Sequence, residues 1–234
     1  MNDSSFGRLI GALVSPGKTF ESIARRPTWV VPLIVLVLLS AAAAYLANER
    51  MDAREMIERS MEERGQEVNE EQIEQIVAFT EKFGAVMTLG GVLVLGPLAY
   101  LVLALAFWGA FRFFGGSDFS FKQSFSTVLY SMSPWIVASL LSIPLILSRE
   151  SIGFEEARKG FLASNLAAFA PEDASAALTA LLGSVDFFSL WTLALLILGY
   201  RTVARVSKGA AISIILVLWL LYVGGKVAWA AAFG

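Results

Sequence analysis

The sequence predicts an all-α, polytopic integral membrane protein with about five transmembrane helices and helical extracytoplasmic loops. Hydrophobic residues make up 56% of the chain and charged residues only 16%, whereas an average globular domain has roughly 45–50% and about 25%. The apolar residues are concentrated in five long blocks instead of alternating with polar ones. Each block is long enough to cross a bilayer, because a helix needs roughly 20 apolar residues to span a hydrocarbon core about 30 Å thick.

The predicted spans are residues 29–47, 84–111, 125–147, 187–206 and 209–229. The second is longer than a bilayer requires and contains Pro97, which predicts a tilt or a kink. The third contains Pro134 and Pro144, and lipid tolerates such residues where nearby hydroxyls satisfy the freed carbonyls. The first block, which ends in four alanines, could instead be a signal peptide. The 28 residues before it are too long for a normal charged region, which favours a retained span.

Residues 1–26 are predicted to form a cytoplasmic amphipathic segment, and residues 27–234 a five-span membrane domain. Five apolar residues of this segment recur at the spacing of one helical face: Phe6, Leu9, Ile10, Leu13 and Val14. Pro16 and Gly17 are expected to stop that helix, and Phe20 and Ile23 mark a second short turn. With Arg8 and Lys18 nearby, the pattern fits either a helix on an anionic membrane surface or one packed against the spans.

The distribution of Lys and Arg predicts the orientation of the spans. Arg25 and Arg26 directly precede the first span, and Arg201, Arg205 and Lys208 lie around the short connection between the fourth and fifth. Dense cations at the ends of spans mark the cytoplasmic side. The prediction is therefore an amino terminus in the cytoplasm and a carboxyl terminus outside.

This orientation places segments 48–82 and 148–186 outside the cytoplasm. The first is rich in charge and predicted to be helical, which fits either a docking surface or a solvated hairpin that prolongs the first two spans. In the second, Pro171, Glu172 and Asp173 resemble the start of a helix.

Asp186 and Lys226 are the candidate residues for an intramembrane ion pair. Each lies about 20 residues from the short connection at residues 206–207, so both reach about 30 Å from it at 1.5 Å per residue. The alternative is separate roles, in which Asp186 caps the fourth span and Lys226 reaches the membrane surface.

The composition argues against catalysis and against cofactors. The chain has no Cys and no His, which excludes thiol nucleophiles, Cys/His metal sites and His-based proton transfer. Gly90-Gly91 and Gly115-Gly116 lack the residues that complete a phosphate-binding loop. No catalytic, cofactor or metal residues are therefore predicted. The cations are few and scattered at span ends, which also argues against nucleic-acid binding.

Short motifs at the third span resemble the bacterial branch of the Yip family of multi-pass membrane proteins. They are Gly115-Gly116, Ser-Phe-Lys-Gln-Ser-Phe at 120–125 and Tyr-Ser-Met-Ser-Pro at 130–134. Further pieces agree in order and spacing: Ser-Pro-Gly-Lys-Thr-Phe at 15–20, Arg-Pro-Thr-Trp at 26–29 with Pro32, Val-Asp-Phe-Phe-Ser-Leu-Trp at 185–191 and Gly-Tyr at 199–200.

The resemblance implies a five-span fold with a cytoplasmic amino terminus. Eukaryotic members are associated with Rab GTPases and vesicle traffic, but this sequence lacks their long amino-terminal region and the acidic motif before the first span. Leu129 stands where those members have the Gly that precedes the motif Tyr. Rab-type GTPase binding is therefore not supported.

The motif residues Tyr130, Ser133 and Pro134 admit two interpretations: a structural break in the third span, or a binding site built around that break. Two functions follow. One is a non-enzymatic membrane protein that organises, recruits or regulates partners, namely other membrane proteins or further copies of itself. The other is a small transporter or lipid-handling protein that uses the broken span. Apart from these partners, the lipid bilayer is the expected environment.

Overall fold

The computed structural model of the protein describes residues 4–63, 65, 69–171 and 174–233. The chain begins with two ten-residue helices, α1 (Ser5–Val14) and α2 (Pro16–Arg25). The expectation of only a short second turn was wrong. Pro16 begins a full helix, because at the first helical position its missing N–H would have no partner anyway.

The first predicted span is α3 (Val30–Asn48), and the segment after it is helical as predicted. It comprises α4 (Ala53–Glu63) and α5 (Glu70–Gly90). A π-helical stretch, Gly91–Leu95, joins α5 to α6 (Gly96–Phe113), and together they form one helical stretch of 44 residues. The irregular stretch ends just before Pro97, whose ring cannot fit into a regular helix without displacing the preceding turn.

The third predicted span consists of two helices, α7 (Phe121–Ser131) and α8 (Ser133–Leu147), with a break at Met132. Ser120 begins α7 with a capping box, in which its hydroxyl accepts from the Gln123 N–H and the Gln123 side chain accepts from the Ser120 N–H. Helix α7 therefore begins four residues earlier than the predicted span.

The remaining helices are α9 (Phe154–Lys159), a 3₁₀ turn at Leu166–Phe169, α10 (Ala176–Ser184), α11 (Phe187–Val203) and α12 (Lys208–Phe233). The predicted helix start at Pro171 includes Glu172 and Asp173, which lie outside the described residues. Helix α10 begins at Ala176, where Ser175 accepts from the Leu178 N–H.

Four helical stretches of the described chain are long and apolar enough to cross a membrane: Val30–Asn48, Glu70–Phe113, Phe121–Leu147 and Lys208–Phe233. Helix α11, at the fourth predicted span, is apolar but has 17 residues, which is the lower end of the range for a membrane helix. The all-α, polytopic fold is therefore confirmed.

The helices divide into two compact units. The first unit consists of Met1–Leu39, Val94–Ala138 and Phe187–Tyr222, and the second of Ser40–Leu93, Ser139–Asp186 and Val223–Gly234. In the first unit, aromatic residues of α6 surround the buried ring of Tyr200, which stacks on Phe111 with ring centroids 4.6 Å apart. In the second unit, a smaller apolar cluster forms around Ala47, Ile146 and Ile152.

Candidate functional site

The amino-terminal helices pack against the membrane helices of the first unit. Leu9 of α1 and Phe20 and Ile23 of α2 form one buried cluster with Tyr130 of α7 and Leu195 of α11. Both alternatives for α1 therefore have structural support. One face of the helix packs against the spans, while Phe6, Ile10 and Val14 on the same helix stay exposed.

Tyr130, the motif residue at the third span, connects three segments through its hydroxyl. The side chain is fully buried. Its oxygen lies 2.9 Å from the Thr28 Oγ1, and it donates to the Ser5 carbonyl at 3.2 Å. A polar group at the tip of a buried aromatic ring needs such partners. Tyr130 therefore fixes where both α1 and the approach to α3 lie on the bundle.

Arg8 completes this network instead of facing the membrane surface. Its guanidinium donates to the Arg26 carbonyl at 2.7 Å and to the Thr28 Oγ1 at 3.3 Å, and the residue is buried. Arg8 lies on the packed side of α1 beside Leu9 and Ala12, which fits the alternative in which this helix packs against the spans. An apolar helix face interrupted by one arginine is the sequence signal that could have indicated this role.

Gly199 and Tyr200, the motif pair of the fourth predicted span, form the closest helix contact in this region. A methyl group at Gly199 would lie 2.7 Å from the Thr127 Cγ2 and 2.9 Å from the Phe20 Cε1. Glycine is therefore needed for α2, α7 and α11 to approach one another. The Tyr200 hydroxyl lies 2.6 Å from the Ser124 Oγ inside the same unit.

Ser133 and Pro134 lie at the break between α7 and α8. Proline has no N–H, so Pro134 leaves the Tyr130 carbonyl without its usual helical donor. The Ser133 hydroxyl donates to that carbonyl at 2.6 Å. The freed group thus has a local partner, as membrane helices require.

Two hydroxyls near this break have no hydrogen-bond partner among the described residues: Ser131 Oγ and Thr192 Oγ1. Other buried hydroxyls behave differently, since Ser126 and Thr127 donate to carbonyls four residues earlier. Leaving a buried hydroxyl unpaired costs about 1–3 kcal/mol.

The two unpaired hydroxyls belong to helices that pack against each other, α7 and α11. Ser131 lies one helical turn after Thr127, on the stripe that meets Gly199. Thr192 lies seven residues before Gly199, on the same stripe of α11, and the Trp135–Phe188 ring contact at 6.2 Å also joins the third span to α11. Both hydroxyls are therefore on the faces through which the third span and α11 pack.

Asp186 and Lys226 both make polar contacts within the second unit. The Asp186 carboxylate accepts from the Ser164 hydroxyl at 2.5 Å, and its backbone pairs with Asn165. The Lys226 ammonium donates to the Ser184 hydroxyl at 3.3 Å. Asp186 is also the residue directly before α11 begins. The predicted ion pair and the predicted cap both stay predictions.

The predicted inner-face cations are all exposed: Arg25, Arg26, Arg201, Arg205 and Lys208. Arg205 has φ of 56°, the left-handed conformation that ends the connection after α11. Within the described ranges, no group of three acidic side chains is arranged to hold a metal ion.

Comparison with known proteins places these motifs in a family. The model of the Yip1 domain matches residues 10–229. The chain belongs to the Yip1 domain family. It is also 27% identical over 216 residues to the membrane protein YknW of Bacillus subtilis (strain 168), which covers 92% of this chain and 87% of that protein. No solved structure matches.

Within this Yip1 domain, the motif residues form the contacts that hold the first unit together. Sequence reasoning identified Tyr130 and the Gly199-Tyr200 pair but missed Ser124 and Thr28 as their partners. Both residues lie within the quoted motifs, but the motifs do not indicate what their hydroxyls bond to, because that depends on which helices meet.

Proposed function

We propose that the protein is a non-enzymatic, multi-pass component of the bacterial cytoplasmic membrane that recruits or organises partner proteins. The observation that supports this best is the folded, acidic surface of the second unit. Its segments contain seventeen Asp and Glu against nine Lys and Arg. The absence of His and Cys from the sequence supports a role without acid–base or thiol chemistry.

Hydrogen bonds hold this acidic surface in a defined shape. The Ile152 N–H donates to the Arg50 carbonyl at 2.9 Å, and the Phe154 N–H donates to the Glu55 carboxylate at 3.3 Å. These bonds tie the segment after α3 to the segment after α8. A pre-ordered surface loses less entropy on binding than a disordered one, which favours a docking role.

Helices α4 and α5 also pair through charge. The Arg54 guanidinium lies 2.6 Å from the carboxylates of both Glu58 and Glu70, and these bonds raise the pKa of Arg54 above its usual value. An open cavity of about 550 Å³ between the two helices is lined by Met56, Ile57, Ser60, Met61, Gln72, Gln75 and Ile76. Apolar and methionine side chains in an acidic setting suit a protein partner.

The charge of the first unit supports an orientation with the amino terminus in the cytoplasm and the carboxyl terminus outside. Its segments contain three acids, Asp3, Glu21 and Asp118. They contain nine cations: Arg8, Lys18, Arg25, Arg26, Arg112, Lys122, Arg201, Arg205 and Lys208. By the positive-inside rule, the span ends that carry these cations face the cytoplasm, and the acidic segments are extracytoplasmic. Residues 1–26 are then the cytoplasmic segment and residues 27–234 the five-span membrane domain, with α11 as its fourth span.

Site-specific photocrosslinking in living cells tests the recruiting role. A photoreactive residue replaces Glu71 or Glu74 on the exposed side of α5, and in the control replaces Leu98 or Val102 on α6, which are exposed apolar positions. The proposal predicts a reproducible product of one mass from the α5 positions and not from the α6 positions. Products containing only this chain would indicate self-association, and repeated recovery of no product at α5 would contradict the proposal.

The unpaired hydroxyls favour one second candidate, a small transporter or lipid-handling protein. Ser131 lies directly before the break of the third span, where transporters place polar sites, and Thr192 lies on α11, which packs against α7. The chain has no native Cys, so single Cys variants at Ser131, Ser133 and Ser142 can be probed with water-soluble thiol reagents. A pathway requires labelling at one or more of these positions. Protection of all three from both sides of the membrane would eliminate this candidate.

A further inference from the structure

Seven exposed cations of the first unit lie at or just beyond the ends of its helices. We call this set the basic rim: Arg25, Arg26, Arg112, Lys122, Arg201, Arg205 and Lys208. They belong to the end of α2, the end of α6, the start of α7, the end of α11 and the start of α12. Several helices therefore contribute positive charge without burying it.

Hydrogen bonds bring three of these helix ends together. The Gln123 side chain donates to the Ala24 carbonyl at 2.8 Å, which joins α7 to α2. One residue further along α7, the Ser124 hydroxyl lies 2.6 Å from the Tyr200 hydroxyl of α11. Arg25, Lys122 and Arg201 each directly follow or precede one of these bonded residues in the chain, so three exposed cations lie beside the contacts that join the three helices.

The rim is not neutralised by nearby acids. Arg112 lies 3.6 Å from Asp118, and both side chains are largely exposed, so this ion pair contributes little. Glu21 and Asp118 are the only acids among the described residues of the first unit. A strong positive potential therefore remains at the rim.

Exposed apolar side chains accompany the rim. Phe113 and Phe114 directly follow Arg112 and are 83% and 75% exposed. Helix α1 exposes Phe6, Ile10 and Val14, by 60%, 54% and 73%. Because these three are spaced four residues apart, they form one stripe along the helix.

Helix α1 is attached to the rim, since Arg8 donates to the Arg26 carbonyl at 2.7 Å. An acidic soluble partner would satisfy the cations but not the apolar stripe. A lipid satisfies both, with its headgroup and its acyl chains.

We propose that the basic rim and the exposed stripe of α1 together bind anionic phospholipids, with the phosphate headgroups on the cations and the acyl chains against Phe6, Ile10 and Val14. This lipid site is independent of the partner-recruiting role, which concerns the acidic surface of the second unit. It also goes beyond snorkelling of single side chains, because Arg25, Lys122 and Arg201 come from separate helices joined by hydrogen bonds.

Lipid titration of the full-length protein in neutral detergent tests the cation part. Dioleoyl-phosphatidylglycerol and dioleoyl-phosphatidylcholine are added separately, and bound lipid is counted by native mass spectrometry while the unfolding temperature is followed. The proposal predicts preferential retention of phosphatidylglycerol. It also predicts that the triple variant Arg25→Gln, Lys122→Gln, Arg201→Gln binds this lipid about 100-fold more weakly, at about fivefold per cation.

The matched control removes the same charge from exposed cations of the second unit, in the triple variant Arg59→Gln, Lys82→Gln, Arg149→Gln. This variant should retain phosphatidylglycerol like the unmodified protein. Equal retention of the two lipids by the unmodified protein would overturn the proposal. So would an equal loss in both triple variants, because the effect would then reflect net charge alone.

Spin labels test the apolar part. Single Cys variants at Phe6, Ile10 and Val14 are labelled in phosphatidylglycerol-containing nanodiscs, with Lys18→Cys on α2 as the control. If these three positions contact acyl chains, oxygen should strongly relax the spin label at each of them, because oxygen dissolves in acyl chains. Lys18 should respond to a water-soluble nickel reagent instead. Nickel accessibility along the α1 stripe would show that this face meets water, and the proposal would fail.

Discussion

At the scale of single residues, the Tyr130 hydroxyl connects parts of the first unit that are far apart in sequence. It bonds to Thr28 and to the Ser5 carbonyl, while Arg8 reaches the same Thr28. Three segments distant in sequence therefore share one small polar network inside an apolar bundle. In a low-dielectric interior such a network strengthens the position of every member, and losing one member leaves the others unsatisfied.

Tyr130→Phe removes this hydroxyl and preserves the ring. We expect a loss of about 1–2 kcal/mol of stability, because Thr28 and the Ser5 carbonyl lose a buried partner. Thermal unfolding in detergent measures the effect. The control is Tyr222→Phe, at an exposed position, which should unfold at the same temperature as the unmodified protein. If Tyr130→Phe and Tyr222→Phe unfolded at the same temperature, the Tyr130 hydroxyl would not stabilise the docking of α1.

Gly199→Ala tests the close helix contact. The added methyl would overlap the Thr127 Cγ2 and the Phe20 ring, and overpacking of this kind costs about 1–3 kcal/mol. Gly224→Ala is the matched control in α12, because nothing lies within 4 Å of its added methyl. That control should be neutral or slightly stabilising, since Ala favours helix over Gly. A Gly199→Ala protein as stable as the control would mean that α2 and α11 can separate at no cost.

At the scale of elements, the prolines in the sequence predicted where helices are interrupted. They did not predict whether a full helix follows each interruption. Pro134 indicated a break in the third span, and the structure has one at Met132. Pro97 indicated a kink, and a π-helical stretch precedes it. Helix α1 ends at Val14, before Pro16 as expected, but the expectation of only a short turn after it was wrong, because proline can also begin a helix. Only the packing of Phe20 and Ile23 into the core shows that α2 is a helix of its own.

The proposed pair of Asp186 and Lys226 links the start of α11 to α12. Lys226 donates to Ser184, two residues before Asp186, which supports the two charges meeting at one level. The cycle of Asp186→Asn, Lys226→Met and the double variant isolates their interaction. We expect a coupling energy of about 0.5–1 kcal/mol in unfolding measured in detergent, since the pair lies near the membrane edge.

Simple addition of the two losses would contradict the ion pair. Asp186 would then act only as the cap of α11, held by Ser164, and Lys226 would act alone with Ser184. The coupling energy therefore distinguishes the ion pair from the separate roles of Asp186 and Lys226.

At the scale of the whole molecule, opposite charges segregate between the two units although the chain as a whole carries only −2. This division predicts the orientation. Alkaline phosphatase, which is active only outside the cytoplasm, should be active when fused after residue 65 and inactive when fused after residue 207. Activity at the second site and not at the first would invert the proposed orientation.

The sequence by itself determined the environment and class of the protein. Long apolar blocks fix a membrane helix regardless of its neighbours, because the hydrocarbon core imposes a length and excludes unpaired backbone groups. For the same reason the spans and their proline breaks could be predicted from local residues. The Yip motifs gave the family, which the match over residues 10–229 confirms.

Only the tertiary structure decided what the polar residues do. Thr28 and Ser124 lie within the family motifs, but no local pattern shows whether their hydroxyls, or that of Thr192, are buried or at the surface. Their roles depend on which helices meet, as when Gly199 lets α2 and α7 approach α11. Lipid provides little hydrophobic force between helices, so close packing and a few hydrogen bonds select their partners. Such contacts join residues far apart in the chain, and the linear spacing of a sequence does not record them.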